Sequence, residues 1–181
     1  MEPSDPHRLE QLGSTDPPTG LATSEALRLY MEPMMAMAHR TRQQLAVFAV
    51  NLSACGDGPL LEAAMRGAAA ELRRRLREYD LLARHDRETL AAVLLATDEA
   101  TAARVAERIL PAVEKCLPKG VTAAGGVAGL SLDTPSPRDL LAHACQAARR
   151  AAQLGAGTVW RHSQTVALLA AAQAGRPGDA P

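Results

Sequence analysis

The stretch Leu72-Arg-Arg-Arg-Leu-Arg-Glu-Tyr-Asp-Leu-Leu-Ala-Arg-His-Asp-Arg-Glu-Thr-Leu-Ala-Ala-Val-Leu-Leu95 decides the fold. Its opening closes an amphipathic helix from about Leu60 to Glu78, with Leu61, Ala64, Met65, Ala68, Leu72 and Leu76 recurring at helical spacing. Asp80–Arg84 and Thr89–Ala96 are apolar runs of strand length, and the polar tetrapeptide His85-Asp86-Arg87-Glu88 between them predicts a hairpin. Upstream, Leu45–Leu52 is almost wholly apolar, as a strand covered on both faces requires, and it ends at the turn-like Cys55-Gly56-Asp57-Gly58-Pro59. Before it, Ser24 to about Gln43 reads as a helix with Ser24 as N-cap. Leu27, Tyr30, Met34, Met37 and Ala38 lie on one side, and Pro33 should bend or interrupt it. Downstream come a helix over Asp98–Val113, a glycine-rich strand over Val121–Leu130 and a helix from Ser136 or Pro137 to about Leu154, stopped by Gly155 and Gly157. Thr158–Arg161 is a last short strand and Gln164–Ala172 a weak C-terminal helix. The centre is βαββαβ, so an α+β fold is expected, with helices packed on a mixed sheet.

The 181 residues suit one domain, residues 21–162, between an N-terminal tail over 1–20 and a C-terminal tail over 163–181 that holds the short helix. Lys plus Arg and Asp plus Glu are 20 each, so no net field draws the chain to nucleic acid or an anionic membrane. Cys55, Cys116 and Cys145 lack CxxC spacing and are odd in number, which suits buried thiols in a reducing compartment. With no apolar leader or membrane-length run, a soluble cytoplasmic protein is expected. Aromatic residues are 2% of the chain, so base stacking on aromatic side chains is nearly excluded. His39, His85, His143 and His162 form no metal-ligand spacing and read as surface or satisfied core histidines; no metal is expected.

In order and spacing the chain resembles the GGDEF family of diguanylate cyclases, from about Asp16 to Val159. Asp16-Pro-Pro-Thr-Gly-Leu21 is similar to the family's opening DxLTGL segment, and Leu72–Arg84 to the helix and strand before the signature hairpin. Thr101–Leu110, Val121–Ala128 and Leu140–Gly155 resemble its later helix, strand and final helix. The resemblance implies a nucleotidyl-cyclase-like core, a mixed, mostly antiparallel sheet flanked by helices.

It also implies what is missing. The family holds two divalent metals on acidic side chains of the first strand and the hairpin, because hard cations on a triphosphate need clustered carboxylates. Here the first-strand positions are Asn51 and Ser53, and the signature falls on Asp86-Arg87-Glu88-Thr89-Leu90. Asp86 and Arg87 put side chains where two glycines would let a nucleotide approach, and Thr89 replaces an acid. The loop after Asn51 is several residues short, removing the segment that recognises guanine and phosphate, and Ala152 stands in place of a lysine. A chain without cyclase activity is therefore expected.

What the resemblance implies is kept is an RxxD motif, Arg77-Glu-Tyr-Asp80, five residues before the signature, where the family's inhibitory site takes a dimer of cyclic di-GMP. Arg108 falls where the family has a second arginine for that ligand. An arginine fork suits guanine N7 and O6 or phosphate, and a carboxylate accepts from guanine N1 and N2. Read from the residues alone, Arg77 and Asp80 are equally an i,i+3 ion pair at a helix end. The expected ligand is cyclic di-GMP and the expected partners are an unidentified protein or, through the ligand dimer, a second copy. The alternative is a scaffold that binds proteins and no nucleotide.

Overall fold

The structure, a computed structural model, describes residues 15–174 apart from 55–57, 132–133 and 135. Its centre is β3 (Leu45–Ala54), whose alternation builds two cores at once. Ala46, Phe48, Val50 and Leu52 enter one apolar cluster, and Leu45, Val47 and Ala49 enter the other. A strand that is almost wholly apolar up to Leu52 is thus covered on both sides, as its composition predicts.

Seven strands form one sheet in the order β1-β2-β4-β5-β3-β6-β7. These are β1 (Thr15–Asp16), β2 (Leu21–Thr23), β4 (Leu81–Arg84), β5 (Thr89–Leu95), β6 (Val121–Gly129) and β7 (Val159–Arg161) around β3. Only β2–β4 and β6–β7 are parallel pairs. Helices α2 (Gly58–Arg75) and α3 (Glu99–Cys116) cover the Phe48 face, and α1 (Ser24–Thr41) and α4 (Pro137–Leu154) the other. Helix α5 (His162–Ala174) follows β7. The mixed, mostly antiparallel α+β sandwich is the expected one.

Helix ends follow local chemistry. Asp98 caps α3 by accepting from the Thr101 N–H at 2.6 Å, and Ser136 caps α4 with Pro137 at its first position. Helix α4 then presses its backbone onto β6. A Cβ on Gly126 would sit 2.0 Å from the Ala148 nitrogen and 2.3 Å from the Ala144 oxygen, which explains the glycine in this strand.

Several expectations are corrected. The N-cap of α1 is Thr23, whose Oγ1 accepts from the Ala26 N–H at 3.3 Å, and Ser24 is already helical. The buried face of α1 is Ala26, Leu27, Met31, Met35 and Ala38, while Met37 is exposed, and the helix runs through Pro33 without a break. Residues 15–20 are not tail: β1 and its turn are fixed because the Asp16 carboxylate accepts from the Thr19 N–H at 3.1 Å and hydroxyl at 2.6 Å. Glu71, on a helix end rich in charged residues, is buried and ion-paired to Arg74 and Arg75, and Arg73 donates to the Gly20 carbonyl at 2.9 Å. Residues 1–14, Cys55-Gly56-Asp57 and 175–181 lie outside the described residues. Cys145 is buried and its thiol is pushed up to about 12 by burial, in keeping with an inert role.

Candidate functional site

The antiparallel register sets Asn51 of β3 directly opposite Thr89 of β5. Both are buried, Asn51 6% and Thr89 1% exposed. Asn51 Nδ2 donates to Thr89 Oγ1 at 3.4 Å, and the Ser53 hydroxyl donates to Asn51 Oδ1 at 3.4 Å. The three positions where the resemblance implies metal-holding acids are therefore joined as one neutral chain of amide and hydroxyls. Among the described residues no three His, Cys, Asp or Glu side chains gather to hold a metal ion.

The hairpin beside this chain is clamped from within. Arg84 donates to the Asp86 and Arg87 carbonyls at 3.3 Å, to Glu62 Oε2 at 2.9 Å and to Asp16 Oδ2 at 3.4 Å. The Asp86 carboxylate accepts from the Glu88 N–H at 2.9 Å and meets Arg149 of α4 at 3.5 Å. Leu90 is core, whereas Arg87 and Glu88 are exposed. Asp16, Thr23, Ser24, Arg84, His85, Asp86 and Arg87 line a cavity of about 350 Å³, across which Ser24 Oγ and His85 Nδ1 are 2.9 Å apart. Burial lowers the pKa of His85 against the pull of Asp86.

The second group of residues lies at the opposite end of β4. Helix α2 stops at Arg75, so Arg77–Asp80 is a turn and not a helical pair. Asp80 Oδ2 accepts from the Arg77 backbone N–H at 3.0 Å, and the Asp80 N–H returns a bond to the Arg77 carbonyl at 3.0 Å. The i,i+3 ion pair is thus replaced by a backbone cap, which leaves the Arg77 guanidinium free to lie 5.7 Å over the Tyr79 ring. Asp80 Oδ1 is shut from solvent without a hydrogen-bond partner, and burial raises the pKa of this carboxyl against the pull of Arg77. Arg108 stands exposed on α3, the helix packed beside α2. Arg77 lies in the turn after α2 and Arg108 on α3, and among the described residues neither guanidinium is held in an ion pair.

Residues 14–158 match the family described as diguanylate cyclase, GGDEF domain. The chain belongs to the GGDEF family. Solved structures agree on the fold. The GGDEF domain of DgcB from Caulobacter crescentus, in complex with c-di-GMP, superposes with a TM-score of 0.72 at 17% identity over 83% of this chain and 96% of that one. The FimX GGDEF domain from Pseudomonas aeruginosa gives 0.65 at 24% identity over 82% and 98%. Diguanylate cyclase SiaD, in complex with its activator SiaC from the same organism, gives 0.73 at 20% identity over 86% of this chain and 64% of that one. No curated protein matches the sequence.

In this GGDEF domain the clamp of Arg84 on Asp16 and Glu62 was not legible beforehand, because its partners lie 68 and 22 residues away. The one signal was an arginine ending an apolar strand, Leu81-Leu-Ala-Arg84. The Arg84 side chain is 11% exposed. Arg84→Ala leaves two carboxylates facing each other beside two unpaired carbonyls, and should cost about 3 kcal/mol, lowering the Tm by roughly 10 °C. Glu62 is held below its ordinary pKa by the Arg84 bond, so the pair stabilises the domain above about pH 4.5, and that contribution is lost as pH falls through the depressed value. Thermal melts from pH 7 to 3 check both: the variant should melt lower at neutral pH and lose less on acidification.

Proposed function

We propose that this GGDEF domain is a non-catalytic receptor for cyclic di-GMP, binding through Arg77, Asp80 and Arg108 and signalling to a protein partner. The observation that carries the non-catalytic half is the buried Asn51–Thr89 pair with Ser53 beside it: three neutral groups offer a divalent cation no charge to replace its water. Asp86 and Arg87 add a second obstacle, since both carbonyls accept from Arg84, the Asp86 carboxylate meets Arg149 and the Arg87 side chain stands where a glycine would leave space.

Binding is supported by two exposed guanidinium groups outside any ion pair, one in the turn after α2 and one on α3, and by the Asp80 carboxylate in that same turn. An arginine fork and a carboxylate complement the Hoogsteen edge and the N1 and N2 donors of guanine. DgcB, of like fold, carries c-di-GMP in its crystal structure. Because Asp80 Oδ2 holds the turn and Oδ1 is closed off, engaging guanine requires the carboxylate to rotate outward, so the free state is the shut form of the site.

Calorimetric titration with cyclic di-GMP tests this. Micromolar or tighter binding is expected, weakened about tenfold to a hundredfold by Arg77→Ala, since charge-assisted hydrogen bonds contribute roughly 1.5–3 kcal/mol. Binding that Arg77→Ala leaves intact would reject these residues, and product from GTP with magnesium or manganese would reject the non-catalytic reading.

A scaffold without nucleotide is the second reading, favoured by α5, where Val166, Leu168 and Leu169 are each more than half exposed. A Tm unmoved by saturating cyclic di-GMP would select it, because a ligand specific for the native state must stabilise that state.

A further inference from the structure

His143 of α4 and His162, the first residue of α5, lie face to face with ring centroids 3.9 Å apart and planes within 9°. Their surroundings make this stack a principal hold on α5. Otherwise the helix is fixed near its first turn: the Ser163 N–H donates to Glu99 Oε1 at 3.1 Å, the Trp160 indole N–H to Thr165 Oγ1 at 2.9 Å, and the Arg161 N–H to Gln164 Oε1 at 2.9 Å. Beyond that turn α5 stands largely in solvent.

We propose that the His143–His162 stack is a proton-operated latch, which docks α5 against α4 when both imidazoles are neutral and releases it when they are protonated. Two imidazolium rings at stacking distance repel, and a cation at the first position of a helix also opposes the positive end of its dipole. The charges facing the pair have been placed. Glu99 of α3 is the carboxylate that opposes release, and one of its oxygens is occupied by the Ser163 N–H. Asp139 of α4, one turn before His143, is bonded to the Ser136 hydroxyl. Arg161 of β7 precedes His162 in the chain, and β6 and the rest of α5 have no ionisable side chain.

Burial, then His143, lower the pKa of His162 against the pull of Glu99. A histidine with a depressed value in the docked state keeps that state intact above its ordinary value of 6.5 and weakens it progressively below. Acidification is therefore the releasing direction.

Hydrogen exchange of residues 162–170 and the emission of Trp160, the one tryptophan of the chain, report docking independently. Between pH 7.5 and 5.0, after correction for intrinsic exchange, the wild type should lose protection in α5 severalfold, with a red shift of Trp160. His143→Phe and, as a second variant, His162→Phe keep a stacked ring without the proton and should hold α5 protected throughout. Loss of protection in both variants equal to that of the wild type overturns the latch. So does a change in Trp160 emission with no change in exchange, which marks simple quenching by imidazolium.

Discussion

Returning acids to the pocket, as Asn51→Asp with Thr89→Glu, is expected to destabilise the domain by about 3–5 kcal/mol in the presence of a chelator, the range for uncompensated buried charge. The two positions face each other across β3 and β5 and are almost wholly buried. Neither has a basic side chain among its hydrogen-bond partners; the nearest polar neighbour is the Ser53 hydroxyl. Two carboxylates forced together there either ionise at high cost or stay protonated. Millimolar manganese or magnesium should recover part of the lost Tm, because a cation that binds only the folded form stabilises it. Cyclase activity should not return, since Asp86 and Arg87 still occupy the hairpin. A variant that melts like the wild type in chelator would show that the neutral chain is not what replaced the metal.

Gly126→Ala should be more damaging still, at about 4 kcal/mol or more, which approaches the whole stability of a domain this size. The added methyl would meet three backbone atoms of α4, at 2.0, 2.3 and 2.6 Å, and backbone has no rotamer to change. Either α4 lifts off the sheet or β6 bends away from β3. Gly125→Ala is the control: its methyl would lie 3.2 Å from Phe48 and Val159 side-chain atoms, which can shift, so a loss of about 1–2 kcal/mol is expected. Urea unfolding of both variants separates the cases, and equal midpoints would refute the close-approach argument.

The sequence made the central elements plain where one physical cause dominated. Leu45–Leu52 is apolar but for Asn51, and a strand covered on both faces needs such a run. Ser136-Pro137 and Asp98 carry the chemistry of helix starts, and both helices begin there. Misreadings arose where tertiary contacts override local pattern. Ser24 looks like a cap, but Thr23 has the extended backbone that caps, and the Ser24 hydroxyl turns to His85. The periodicity put Met34 and Met37 on the inward side of α1, whereas the sheet covers Met31 and Met35. At the candidate site, the family resemblance singled out Arg77, Asp80, Asn51 and Thr89. It could not reveal that Asp80 caps its own turn, since a backbone N–H has no letter in the sequence.

The sheet ends in strands of two and three residues, β1 and β7. So short a margin offers a neighbouring molecule too few amides and carbonyls to pair in register. An alanine-rich domain with nine-residue and ten-residue inner strands would otherwise be an inviting template for fibril growth. Copies of the domain can therefore meet without zipping together, leaving association to side-chain surfaces.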